Sequence, residues 1–226
     1  MKLVILKKPI EMLTSEDCRK VFMDVIELRQ RLYREQFDKV LCLDKYDLIS
    51  DHFIIYDSET QQPIIYMRSI SKQVCDEFSV PVPLYESLRN STTHLQDLNT
   101  FYQLTPAALN MSFLCKDTTF NEKIKRLKIC NLMIWLAFKA SNLSMHELGY
   151  CATPNAKYNL KRSLNEIGSF YGTLPEFIHP TVPEPHELVM IHQVSATFWF
   201  EMELRFGELF NNRSEISREA ELNEAA

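Results

Sequence analysis

An α/β fold, with a mixed central sheet flanked by helices, is what the sequence predicts, and three observations carry that expectation. Short β-rich runs alternate with segments of helical periodicity along the whole chain. Two of those runs, 53–56 and 63–67, are close enough to pair as a hairpin. Hydrophobic side chains make up 46% of 226 residues, enough to bury a sizeable core.

The elements follow in order. Leu3-Val4-Ile5-Leu6 predicts a first strand; the apolar run is too short for a secretory core and no small-residue cleavage site follows it. Ser15-Glu16-Asp17-Cys18 reads as a helix start with acids in its first turn. Val21, Phe22, Val25, Leu28, Leu32 and Tyr33 then recur at helical spacing, predicting a long amphipathic helix. Phe53–Tyr56 and Pro63–Met67 are expected to be antiparallel strands joined by the polar stretch 57–62. Residues 72–106 contain Pro81, Pro83 and Pro106, with short helices expected near 84–88 and 95–102, and are expected to cover the site.

The second half opens with a strand at 107–115 and a helix whose apolar face uses Ile124, Leu127, Asn131, Ile134 and Phe138. A strand at 145–151, a helix at 154–167 opened by Pro154, a strand at 187–192 and a helix at 198–210 complete the alternation. Residues 1–210 are thus expected to form one domain, with 211–226 a polar, acidic, frayed tail. The most apolar stretch, 132–138, is flanked by Lys128 and Lys139 at about half a membrane span, so no transmembrane segment is expected and the chain reads as cytoplasmic.

Composition excludes several functions. A net charge of −5 with dispersed basic residues disfavours nucleic acid as a partner. The six cysteines are scattered singly with no Cys-x-x-Cys pair, so no structural zinc or other metal is expected. Four glycines supply no Gly-x-Gly-x-x-Gly, Walker loop or Gly-x-Ser-x-Gly elbow. His179, His186 and His192, interrupted by Pro180, Pro183 and Pro185, fit neither a zinc helix nor a triad.

A charged pattern in the first seventy positions points to chemistry. Arg29 and Tyr33 are one helical turn apart, Asp44 and Asp47 are three apart before a strand, and Arg68 leaves the next strand. Arg29 is expected to pair with one of the acids and tie the helix to the acidic turn. Arg68 is expected either to clamp a carboxylate or to lock the two acids. A carboxylate near water can serve as a general base; the plain alternative is a solvated turn.

This pattern resembles the N-terminal half of the acyl-homoserine-lactone synthases and the related long-chain N-acyl amino acid synthases, acyltransferases built on the GNAT fold. The resemblance implies a GNAT-like fold and an active-site cleft lined by Arg29, Tyr33, Asp44, Asp47 and Arg68. The acids would orient the acceptor amine and help remove its proton. The chain departs from the lactone synthases in two places: Cys42 stands where they carry a glutamate, and of their Glu-x-Ser-Arg-Phe stretch, Leu109–Phe113 keeps only Phe113. Those losses argue against S-adenosylmethionine as acceptor.

The resemblance also implies a phosphopantetheine thioester as donor, with no tightly bound cofactor. The stretch Lys116–Lys123 has no glycine to cradle a CoA pyrophosphate, so acyl carrier protein is favoured over acyl-CoA. Lys116, Lys123, Lys125 and Arg126 are expected to meet an acidic carrier protein, the alternative being a solvated helix end. Asn131 is expected to bond the pantetheine arm or a neighbouring backbone group, and Tyr158 to act as general acid, the alternative being an ordinary packed tyrosine. Ser112, Phe113 and Trp135 complete the expected substrate-binding residues. The function implied is transfer of a fatty acyl group from the thioester to an amine such as an amino acid. The alternative is a GNAT-like module without catalysis that binds a lipid, a carrier or a protein.

Overall fold

A computed structural model describes residues 1–38, 43–124, 127–156, 164–171, 176–180 and 184–224. Its first-half elements are β1 (Lys2–Lys7), α1 (Glu16–Phe37), β2 (Asp51–Tyr56), β3 (Pro63–Ser71), α2 (Lys72–Glu77), α3 (Pro83–Ser87), α4 (Thr92–Leu104) and β4 (Leu109–Lys116). The rest are α5 (Asn121–Ile124), α6 (Ile129–Ala140), β5 (Gly149–Ala152), β6 (Gly168–Phe170), β7 (Phe177–Ile178), β8 (Pro185–His186), β9 (Val189–Val194), α7 (Ala196–Asn211), β10 (Ser214–Ile216) and α8 (Arg218–Glu224). They gather into two compact units. The first holds Met1–Ser69, Phe113–Ile129 and the chain from Phe206 on; the second holds Ile70–Ser112 and Cys130–Arg205.

In the first unit the strands lie in the order β10-β1-β2-β3-β4. β1 and β2 pair antiparallel with Leu3 opposite Ile55 and Ile5 opposite Phe53, and β2 and β3 pair antiparallel with His52 opposite Arg68 and Ile54 opposite Tyr66. The hairpin turn is tied by Asp57, whose Oδ2 accepts from the Thr60 N–H at 2.9 Å and the Thr60 hydroxyl at 3.0 Å. Helix α1 starts where expected: the Ser15 Oγ accepts from the Cys18 N–H, and Glu16 and Asp17 oppose the positive end of the helix dipole. Its buried stripe of Cys18, Phe22, Val25 and Leu28 packs on Val4, Leu6, Ile54, Tyr56 and Tyr66 of the sheet.

Within the segment expected to fray, residues 214–216 and 218–224 carry secondary structure. Ser214–Ile216 forms β10, parallel to β1, with Lys7 Nζ 2.9 Å from Glu215 Oε1, and α8 follows. Three residues are too few to show a period, and the strand exists because the β1 edge offers it a ladder.

The second unit orders its strands β4-β5-β9-β6, with β5 parallel to β4 and antiparallel to β9. Helix α6 is buried nearly all round, with Trp135 and Phe138 wholly inside. Gly149 opens β5 because a Cβ there would lie 2.3 Å from Thr105 Cγ2. The β4–β5 ladder is short: Leu109 faces Tyr150 and Asn110 faces Cys151, and the Asn110 amide donates to the Cys151 carbonyl at 3.2 Å.

The strand expected at 145–151 is only Gly149–Ala152, because Ser144–Leu148 close a turn in which the Glu147 carboxylate accepts from the Ser144 N–H and hydroxyl. Helix α2 and the β7–β8 hairpin carry no clear sequence period and were not expected. Most of the helix expected at 154–167 falls on 157–163, outside the described residues. Among the described residues no helix is long and apolar enough to cross a membrane.

Candidate active site

The charged residues of the sequence pattern meet in the first unit. Helix α1 carries Arg29, the turn before β2 carries Asp44 and Asp47, and β3 carries Arg68. The turn is built by the two acids themselves. The Asp44 Oδ1 accepts from the Tyr46 and Asp47 N–H groups at 2.9 and 3.1 Å, and the Asp47 Oδ2 accepts from the Asp44 N–H at 2.9 Å. Short acidic side chains favour such local backbone bonds over helix or sheet, so the turn is held in part by its own residues.

Both arginines then converge on it. Arg68 Nη1 donates to Asp44 Oδ1 at 2.6 Å and to Asp47 Oδ1 at 2.7 Å, while Arg29 Nη1 donates to the same Asp47 oxygen. Arg29, Asp47 and Arg68 are 3%, 0% and 2% exposed, whereas the Asp44 side chain is 37% exposed. The Phe113 ring centroid lies 4.2 Å from the Arg29 guanidinium carbon and 4.6 Å from that of Arg68, so one ring faces both cations. Phe113 has φ 56°, a left-handed backbone inside β4 that an aromatic residue adopts only at a cost.

Burial alone would raise the Asp47 carboxyl, but the Arg29 and Arg68 guanidiniums and the Asp44 N–H outweigh it and hold the group below its ordinary range. Arg68 stays charged: burial works against it, and the bond to Asp44 prevails. Behind the turn, His52 is wholly buried and burial pushes it down to about 3, so it is neutral. Its Nε2 faces the Asp47 carbonyl at 2.7 Å, which can only accept, so Nε2 carries the proton and Nδ1 accepts from the Tyr66 hydroxyl at 3.0 Å. Nearby, Arg31 Nη2 donates to Asp117 Oδ2 at 2.6 Å, and Asp117 caps the turn after β4.

Arg29, Asp44, Asp47, Arg68 and Phe113 are therefore brought together. Tyr33 lies one turn further along α1. Ser112, Asn131 and Trp135 belong to the second unit, where the Asn131 amide donates to Glu166 Oε2 at 3.2 Å and Trp135 packs edge-on to Trp199. Lys116 ends β4 and is exposed. Tyr158, Lys125, Arg126, Cys42 and the Lys123 side chain lie outside the described residues. Sequence reasoning missed Tyr46, His52 and Tyr66. A histidine at the head of the apolar run Phe53-Ile54-Ile55, level with Arg68 across the hairpin, was the available signal for His52.

No family model matches the chain, and no curated protein matches its sequence. Solved structures do resemble it, and they define the class of fold: a GNAT-like acyltransferase fold. A CoA-dependent acyl-homoserine lactone synthase, BjaI, solved with MTA, superposes with a TM-score of 0.57 over 91% of this chain and 89% of that one, at 11% identity. A second CoA-dependent synthase, MesI, gives 0.56 over 91% and 95% at 10% identity. An acyl-CoA N-acyltransferase from Pseudomonas aeruginosa gives 0.50 over 84% and 99%, also at 10% identity. At such identities the likeness is one of fold.

Proposed function

We propose that the chain transfers an acyl group from a phosphopantetheine thioester to an amine. The observation that carries this reading is the division of labour between the two carboxylates. Asp47 is wholly buried and accepts from Arg29, Arg68 and the Asp44 N–H, so it positions the turn and is held ionised. Asp44 keeps a solvent-facing side chain whose Oδ2 accepts from no described residue. That oxygen is the one available to orient an amine and take its proton.

The amine nitrogen attacks the thioester carbonyl, the C–N bond forms, the C–S bond breaks, and the amine proton passes to Asp44. Backbone amides near residues 113–116 serve the oxyanion, Tyr158 gives its proton to the departing thiolate, and the proton on Asp44 restores Tyr158 through solvent. Lys116, Lys123, Lys125 and Arg126 form the docking patch if the donor is an acyl carrier protein, and acyl-CoA is the other donor of the same chemistry. The names of the structural neighbours, lactone synthases and an N-acyltransferase, support thioester acyl transfer as the reaction class.

Purified protein incubated with matched acyl-CoA and acyl-carrier-protein donors and a pool of amines should yield new N-acyl products by mass spectrometry. Binding of a donor without any product would replace this reading by that of a non-catalytic acyl-donor binder, which the missing carboxylate on Leu109–Phe113 favours. No binding of either donor would overturn acyl transfer altogether.

A further inference from the structure

Asp47 is held at its carboxylate by the two guanidiniums and at its main chain by a second set of groups. His52 heads β2 opposite Arg68, and Tyr66 lies one diagonal step along β3 on the same face of the hairpin. The His52 Nε2–H donates to the Asp47 carbonyl at 2.7 Å, and the Tyr66 hydroxyl donates to His52 Nδ1 at 3.0 Å. The Tyr66 ring centroid lies 5.7 Å from the Arg29 guanidinium carbon, and Arg29 donates back to the Asp47 carboxylate. Arg29, Asp47, His52 and Tyr66 thus close a circuit that is buried throughout, with the Phe22 ring edge-on against the imidazole. Both ring nitrogens are met, as a buried polar circuit requires.

We propose that His52 is a positioning residue, a neutral relay that fixes the Asp47 peptide and through it the turn that presents Asp44. The catalytic consequence rests on the acyl-transfer reading; the tie itself does not. Asp47 Oδ2 accepts from the Asp44 N–H, and Asp44 Oδ1 accepts from the Asp47 N–H, so a shift of the Asp47 main chain carries the Asp44 carboxylate with it. The arginines grip Asp47 beyond its rotatable side-chain bonds, whereas His52 grips the backbone directly. The ring has to be neutral for this. The site already sets two guanidiniums against two carboxylates, and a cation at position 52 would add a third positive charge and leave the Tyr66 hydroxyl facing a donor. Neutral histidine supplies a donor at one end and an acceptor at the other on one rigid ring.

The tie is tested first in the wild-type chain by imidazole proton–nitrogen NMR, in which His52 at neutral pH should show a proton on Nε2 and none on Nδ1. A proton on Nδ1 overturns the relay. Two variants then separate hydrogen bonding from packing: His52→Gln keeps a donor and an acceptor on one group, and His52→Met fills the space with neither. The Asp44 carboxyl carbon signal should stay near its wild-type position in His52→Gln and move in His52→Met. In transfer assays referred to the folded fraction, kcat should fall roughly tenfold to a hundredfold in His52→Met with KM changed by less than about twofold, the effect of a small misplacement of a catalytic group. His52→Gln should recover most of that loss. Equal behaviour of the two variants overturns the proposal. Should His52→Met not fold, Tyr66→Phe removes only the hydroxyl; it should move the His52 Nδ1 signal and lower kcat about threefold to tenfold, and an unchanged kcat overturns the relay. Absence of transfer by the wild type would fault the acyl-transfer reading and leave the Asp44 signal to decide the tie.

Discussion

Asp44 and Asp47 are the same residue type three positions apart, yet burial assigns them different work. Asp47→Asn leaves two buried guanidiniums facing a neutral acceptor and should cost about 3–5 kcal/mol in a urea unfolding experiment, the usual penalty for breaking a buried ion pair. Asp44→Asn, at a partly exposed carboxylate whose replacement keeps an acceptor oxygen, should cost less than Asp47→Asn while lowering transfer roughly a hundredfold to ten-thousandfold. The reverse pattern, with Asp44→Asn unfolding the chain and leaving the rate intact, would exchange their roles. His52 contributes through pH. Its folded value, about 3, lies below the ordinary 6.5, so its contribution is fully present above pH 6.5 and is lost as pH falls toward 3, by at most about 1.4 kcal/mol per unit. Asp51, raised to about 6 by burial, acts in the opposite sense, and His179, lowered to about 4, in the same one. The difference between wild type and His52→Phe therefore isolates His52: the gap in unfolding free energy should narrow as pH is lowered from 6.5 to 4. A constant gap would mean that His52 is not held neutral.

Among the elements, strand β5 depends on the absence of a side chain at its first residue. Gly149→Ala would drive a Cβ to 2.3 Å from Thr105 Cγ2 and should destabilise by about 1–3 kcal/mol, the range for overpacking. Thr105→Ser removes that methyl and should restore part of the loss in the double variant, whereas simple additivity in thermal unfolding would show that the clash is elsewhere. Strands and helices with a strong period were legible in the sequence. Helix α1 was set by its Ser15 cap and its apolar stripe, and the β2–β3 hairpin by two β-rich runs around a polar turn. Helix α2 and the β7–β8 hairpin were not, because six residues or two residues per element leave no period to read. Phe113 belongs with them: nothing in Ser112-Phe113-Leu114 forecasts a left-handed residue in mid-strand, which is imposed by the packing around the ring.

At the scale of the whole chain, its two ends meet in one sheet. Removing residues 213–226 should expose the edge of β1, lower the thermal midpoint and raise aggregation, because β10 is the only described partner on that edge. An unchanged midpoint would mean that β10 adds nothing to the fold. By itself, the sequence determined the α/β order of the elements and the identity of the charged residues, since both rest on local periods and on residue types at short spacing. Only the tertiary structure decided which carboxylate is buried, which nitrogen of His52 holds the proton, and that Arg29 Nε and Nη2 are buried with no acceptor among the described residues. Those properties depend on solvent exclusion and on partners 5 to 84 positions apart along the chain, from His52 and Asp47 to Arg29 and Phe113, and no single period encodes them.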